Sequence, residues 1–366
     1  MKKVLFETHH LYYWANFWPI VEELKNRRNY DIQVSIPKRD SRSEEIQLMD
    51  ICKKMKIQFI QSENEQRRLR AIIDQKFDII FVGNVGQLKE IASDTTITIM
   101  VYHGIGLKNS YYNDIDARID MRAVESKPRL EELKTQGHKN LILTGFTKID
   151  RLQTVKKNYL TSLRKKLNLR TNKKTVLYAP SFYPSSIERI HPYLIELSKD
   201  FNVIIKLHAF SWEQKKYHYQ STLFLNLSQG NSNIFLLQNN VHDIIPYYLL
   251  SDILVTDISS TMFEYLPLDR PIIQAECYSL KIKHRILQKR FWKKMDLKRQ
   301  QEIDFVYNIK DPEDLLNRVY FAIENSDDMS ALRKSACEHY LYKTDGLASC
   351  RLVDALEDYN NEDRNI

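Results

Sequence analysis

Short apolar runs bounded by turn residues recur along this chain, and the segments between them carry apolar residues at helical spacing. In the first half "KKVLFET", "DIQVSIP", "IQFI", "DIIFVGN", "TITIMVYHG" and "LILTGF" read as strands. Between them "FWPIVEELKNRR", "EEIQLMDICKKMK" and "EQRRLRAIIDQK" read as helices. Strands that alternate with helices form a parallel sheet covered on both faces, because each crossover lays a helix against the sheet. The alternation then restarts with the strands "KTVLYAP", "NVIIKLH", "NIFLLQ", "DILVTD" and "PIIQAE" and the helices "HPYLIELSKD", "VHDIIPYYLLS" and "STMFEYL". The pattern predicts an α/β protein of two Rossmann-like, doubly wound parallel-sheet domains facing across a cleft.

The expected divisions are an N-terminal domain over 1–150, a basic connecting helix over 151–173, and a C-terminal domain over 174–345. A terminal helix and tail over 346–366 is expected to pack back on the first domain. A chain of 366 residues is comfortable for two such cores. Its 43% hydrophobic and 28% charged content excludes a disordered chain. Cys52, Cys277, Cys337 and Cys350 form no CxxC pair, so neither a zinc site nor a disulfide framework is indicated. The apolar run Val4–Phe6 stops at Glu7, too short for a signal peptide, and no run approaches the roughly 20 apolar residues of a spanning helix. A cytoplasmic protein that meets membranes only at their surface is expected.

Charge is concentrated. The formal charge is +8, yet residues 151–175 carry nine Lys/Arg and no acid, and residues 281–299 carry nine with one Asp. Leu152, Val155, Tyr159, Leu163 and Leu167 suggest that the first of these is an ordinary amphipathic helix with a solvated basic face. In the second, cations are interleaved with Ile282, Ile286, Leu287, Phe291, Trp292 and Met295, which suits either docking on an anionic membrane surface or packing of the aromatics into the second domain with the charges solvated.

Ligands of doubly wound sheets lie at the carboxyl ends of the strands. His103 follows "TITIMVY", Ser181 follows "TVLYAP", His208 follows "VIIKL", and Asp257 follows "DILVT". A histidine beside Gly104 and Gly106 suits proton removal from an alcohol, its ordinary pKa of ~6.5 lying near working pH. Lys206 and His208 alternate on an otherwise apolar strand, so both point to one face, and together suit a diphosphate. "DISST" ends a strand and opens a helix, whose first N–H groups form an anion site. One of Asp257, Ser259 and Ser260 suffices as a cap, leaving the other hydroxyls, with Thr261, for phosphate oxygens. Glu264 is then placed to accept from a ribose. Asp114-Ile115-Asp116 has the form of a metal-binding D-x-D but reads as a polar turn. No metal or other cofactor is expected.

These stretches resemble the CDP-glycerol glycerophosphotransferases, bacterial teichoic-acid and capsule enzymes of GT-B architecture. "HGIGLK" is similar to that family's HG-x-x-LK, "TGFTKIDRL" to G-x-P-R-x-D and "VLYAPSF" to LYAPTW. "KLHAF" is similar to KLHP, "DILVTDISSTMFEYL" to D-x-L-I-T-D-Y-S-S-x-x-F-D/E, and "DGLASCR" to DG-x-A-x-x-R. The resemblance runs from about His103 to residue 351. It implies His103 as the catalytic base and places His208, counted with it as catalytic, together with Ser259, Ser260 and Thr261 at the donor diphosphate. Gly104, Lys108, Ser181, Lys206, Asp257 and Glu264 complete the expected substrate-binding set. Ala209, Ile258 and Tyr183 stand where the family has proline, tyrosine and often arginine, and Thr147-Lys148 replaces Pro-Arg. These departures leave the donor open between CDP-glycerol and CDP-ribitol.

The expected reaction is metal-independent. A hydroxyl of a lipid-linked or glycan acceptor attacks the polyol-bearing phosphorus of a CDP-alcohol and releases CMP, on the inner face of the cell membrane. A GT-B glycosyltransferase using a nucleotide sugar is the first alternative. A non-enzymatic basic protein binding lipid or nucleic acid is the second, although nucleic acid is not an expected partner.

Overall fold

The computed structural model of the protein describes residues 1–39, 41–105, 118–281, 284 and 297–362. The described chain divides into two compact units. Among the described residues one holds Met1–Gly104, 118–153 and the segment from His339 onward; the other holds Ile105 and Thr154–Glu338.

The first unit contains seven strands: β1 (Lys2–Glu7), β2 (Tyr30–Ser35), β3 (Gln58–Phe59), β4 (Ile79–Val82), β5 (Ile97–Val101), β6 (Met121–Val124) and β7 (Leu141–Leu143). They lie in the order β3-β2-β1-β4-β5-β6-β7, and every pairing is parallel. All four residues of β4 are buried, as expected of a central strand covered on both faces. Phe6 and Phe81 stack at 4.6 Å across β1 and β4, and Trp14 and Phe17 of the helix Trp14–Arg27 close the same core. The terminal helix Ala348–Glu362 joins that core through Leu352, Val353 and Leu356. Its first N–H groups, from Ala348 and Ser349, donate to the Asp150 carboxylate at 3.0 and 2.8 Å, and Arg351 Nε donates to the Thr144 carbonyl at 2.6 Å. "TGFTKIDRL" and "DGLASCR" thus meet, and what they do there is hold the last helix in place.

The second unit contains β8 (Thr175–Tyr178), β9 (Asn202–Ile205), β10 (Ile234–Leu236), β11 (Ile253–Thr256), β12 (Ile272–Ala275) and β13 (Tyr307–Ile309). Their order is β10-β9-β8-β11-β12-β13, again parallel throughout. The two-fold α/β reading therefore holds, with two additions. β6 and β13 escape the apolar pattern because "MRAV" carries a charge and "YNI" alternates about an exposed Asn308.

The basic segment breaks differently from its expected stripe. Helical turns at Arg151–Thr154 and Lys157–Lys166 are separate, so the phase resets between them. Leu163 is buried, but Tyr159 is 52% exposed rather than part of the inner stripe.

Candidate functional site

In each sheet the strand order reverses once, and a crevice opens at the carboxyl ends of the two strands that flank the reversal. In the second unit those strands are β8 and β11, with β9 on the other side of β8. Ser181, His208 and Asp257 leave these three strands, so the sheet brings together residues up to 76 positions apart.

Asp257 lies beneath this edge and is fully buried. Its Oδ1 accepts from the Ser181 N–H at 2.7 Å. Oδ2 accepts from the Ser186 N–H at 2.9 Å, the Ser186 hydroxyl at 3.1 Å and the Ser185 hydroxyl at 3.4 Å. Burial pushes the carboxyl up to about 6, against the pull of those donors. The side chain thus ties β11 to the 181–186 turn, which the Ser181 hydroxyl closes on the Pro184 carbonyl at 2.5 Å.

The following helix is short: it covers Thr261–Tyr265 and passes into a 3-10 turn at Leu266–Leu268. Five residues sum to a small dipole, so the local hydroxyls and N–H groups matter more than the macrodipole. Ser259 accepts from the Thr261 N–H at 3.4 Å and from the Thr261 hydroxyl at 3.1 Å, which leaves its own proton to be donated. Thr261 also meets the Thr256 hydroxyl at 2.8 Å. Ser260, at the cap position, makes no side-chain bond to the helix N–H groups. It donates instead to Glu264 Oε1 at 2.9 Å, and Tyr248 donates to Oε2 at 2.9 Å. Glu264 is 1% exposed; its carboxylate orients Ser260 from below, where the sequence suggested an acceptor for a ribose.

β9 stops at Ile205, one residue short of Lys206. Leu207 is buried while Lys206 and His208 are half-buried, so the expected alternation persists past the strand. Lys206 Nζ donates to the Leu207 carbonyl at 3.0 Å. His208 Nδ1 accepts from the Phe210 N–H at 3.1 Å, which puts the proton of the neutral ring on Nε2. Phe182 packs on this imidazole at 4.7 Å and on Tyr217 at 5.1 Å between centroids.

In the first unit the reversal lies between β1 and β4, with β5 next to β4. His103 follows β5, and Gly104 behind it is buried. The His103 ring sits edge-on to Tyr13 at 4.5 Å and to Tyr12 at 5.3 Å. Its carbonyl accepts from Asn16 Nδ2 at 3.2 Å. The "THHLYYWAN" stretch after β1 is a part of this edge that motif reading passed over. Its density of polar rings directly behind a central strand was the available signal. His9 there adopts φ 42°, and burial lowers its pKa to about 4. Lys108 and Gly106, the Asp114–Asp116 pair, and 282, 283 and 285–296 of the basic-aromatic stretch lie outside the described residues. Among the described residues no cluster of His, Cys, Asp and Glu could hold a metal ion, and no helix is long and apolar enough to cross a membrane.

Two parallel doubly wound units, each with polar residues at its reversal point, define an α/β protein of GT-B type. The profile of the family described as CDP-Glycerol:Poly(glycerophosphate) glycerophosphotransferase matches residues 2–358, and the chain belongs to that family. A teichoic acid poly(glycerol phosphate) polymerase of Staphylococcus epidermidis is 35% identical over 114 residues, 31% of this chain and 16% of its own length. The structure of the wall teichoic acid polymerase TagF superposes with a TM-score of 0.72 at 17% identity, covering 100% of this chain and 90% of that one. A UDP-GlcNAc 2-epimerase from Neisseria meningitidis bound to UDP-GlcNAc has the same fold, with a TM-score of 0.63 at 15% identity over 98% of this chain and 100% of its own. The alignment to the curated polymerase reaches only a small part of that relative.

Proposed function

We propose that the protein transfers a polyol phosphate, glycerol phosphate first among candidates, from a CDP-alcohol to a hydroxyl of a lipid-linked or glycan acceptor. His103 takes the proton of that hydroxyl. The resulting oxygen attacks the polyol-bearing phosphorus, the bond from this phosphorus to the bridging oxygen breaks, and CMP leaves with the electron pair. Charge on the leaving diphosphate oxygens is met by His208 through Nε2–H, by Ser259 through its hydroxyl and by Lys206. Lys108 and Gly104 complete the proposed substrate-binding set. Asp257 and Glu264 act from beneath: the first fixes the Ser181 turn, and the second turns the Ser260 hydroxyl into an acceptor for a donor's OH group.

The observation that carries this reading is the convergence at one sheet edge of Ser181, His208 and the Ser259–Thr261 start. The Ser259 hydroxyl, which accepts from Thr261, keeps its own proton as a donor suited to an anion. Incubation with CDP-glycerol, CDP-ribitol and UDP-GlcNAc, with mass spectrometry of nucleotide and product, tests it. CMP with a phosphodiester product is expected, and a nucleoside diphosphate with a glycoside would instead establish the glycosyltransferase alternative. Turnover is expected to persist in EDTA; loss on chelation with recovery on adding a divalent ion would return attention to Asp114 and Asp116. For the acceptor to be reached we propose attachment to the inner membrane face through 281–299. Cosedimentation with anionic but not zwitterionic vesicles, weakened by salt, is expected.

A further inference from the structure

We propose that Tyr13, braced by Gly83 and Asn84, is the positioning residue that fixes the orientation of the His103 imidazole. The proposal rests on the reading of His103 as the base. Tyr13 is 3% exposed and its ring is held from three sides. Asn84 Nδ2 donates to its hydroxyl at 2.9 Å. The His103 ring meets it edge-on at 4.5 Å and 76°. Gly83 underlies it so closely that a Cβ there would stand 2.6 Å from Cδ1 and 2.9 Å from Cγ and Cε1. The ring therefore occupies space that any residue but glycine at position 83 would take. Being clamped, it can only yield toward its neighbours, the imidazole among them. Asn16, three residues along the same chain, holds the His103 backbone at 3.2 Å, and its own carbonyl accepts from Thr147 at 2.9 Å. Backbone and ring of His103 are thus gripped by one short segment, Tyr13–Asn16, which reaches it because β1, β4 and β5 are neighbours.

A tyrosine that merely fills the core would, on truncation, lower stability and every kinetic constant together. A positioning residue acts on turnover, because a displacement of about 1 Å in a catalytic group costs on the order of 10²-fold. The test measures CMP release from CDP-glycerol with a short glycerol-phosphate oligomer on an alkyl anchor as acceptor, together with thermal midpoints. Tyr13→Leu is expected to lower kcat by about 10²-fold with the donor KM nearly unchanged. Tyr13→Phe, which keeps the ring, is expected to stay within about five-fold of the parent. Gly83→Ala should reproduce the loss of the leucine variant and add little to it in the double variant, since both act through one ring. A folded Tyr13→Leu with parental kcat, a phenylalanine variant as poor as the leucine one, a loss confined to KM, or additive Gly83→Ala and Tyr13→Leu effects would each overturn the proposal. His103→Ala is run beside them. If it keeps full turnover, the base reading fails and takes this inference with it. If it loses turnover while Tyr13→Leu does not, only the positioning role falls.

Discussion

Replacing Asp257 by asparagine keeps the shape of a fully buried side chain and removes its charge, so it isolates the cost of burying that charge. The carboxyl is raised from 3.8 to about 6, with burial the largest cause and the Ser181 and Ser186 N–H groups opposing it. A raised acid binds its proton more tightly folded than unfolded. The associated stability is therefore fully present below the unfolded pKa and lost as pH rises through the folded one. A shift of this size is worth about 3 kcal/mol across the whole window, and about 2 kcal/mol of it falls between pH 4.5 and 8. Asparagine does not titrate. Its amide also turns a donor toward either the Ser181 or the Ser186 N–H, 2.7 and 2.9 Å away in the parent, at a cost of about 1–3 kcal/mol. At pH 8 relief of the buried charge offsets that loss and the two proteins should unfold at similar urea concentrations. At pH 4.5 the parent should be the more stable by about 2 kcal/mol beyond its margin at pH 8. Pulsed hydrogen exchange on peptides from β8 and β11, followed by mass spectrometry across a urea series, reads this unit separately from the other. A difference between the proteins that does not change with pH, or that grows as pH rises, would show that the donors outweigh burial and refute the reasoning.

Ser259→Ala should weaken CDP-glycerol binding by roughly 1.5–3 kcal/mol, the worth of a hydrogen bond to a charged group, and more than Ser260→Ala, whose hydroxyl is already committed to Glu264. Isothermal titration of both variants compares them, and equal losses would contradict the assignment. Gly145 adopts φ 92°, and a Cβ there would lie 2.5 Å from the Tyr342 carbonyl. Gly145→Ala should therefore cost about 1–3 kcal/mol and speed exchange in the terminal helix. Unaltered exchange in Ala348–Glu362 would count against its docking through this turn. Arg68 is fully buried, with Nη1 donating to Glu7 at 2.8 Å and Nη2 to Glu65 at 2.7 Å and Gln87 at 2.9 Å. Arg68→Met strands the Glu7 carboxylate and should destabilise the first unit by about 3–5 kcal/mol, whereas removing both partners in a Glu7→Gln, Arg68→Met variant should recover much of that loss. Chemical denaturation decides between them.

What the sequence determines by itself is local. Apolar periodicity marks nearly every strand and helix, and their alternation dictates parallel sheets whose loops gather at the carboxyl ends. His103, Ser181, His208 and Asp257 were legible as strand-end residues for that reason. The motifs that resemble the family extend this to the order of the site along the chain. Only the tertiary structure decides which of those residues face a ligand. Strand order sets β8 beside β11 and β1 beside β4, and so it chooses the partners of each polar group. Asp257 and Glu264 look alike in sequence to residues that greet a ligand, yet both are turned inward because buried N–H and hydroxyl groups of distant segments need an acceptor there. Tyr13, Gly83 and His103 have no sequence relation at all. They meet because three strands far apart in the chain are neighbours in the sheet, a choice made by the burial of whole elements rather than by any one of them.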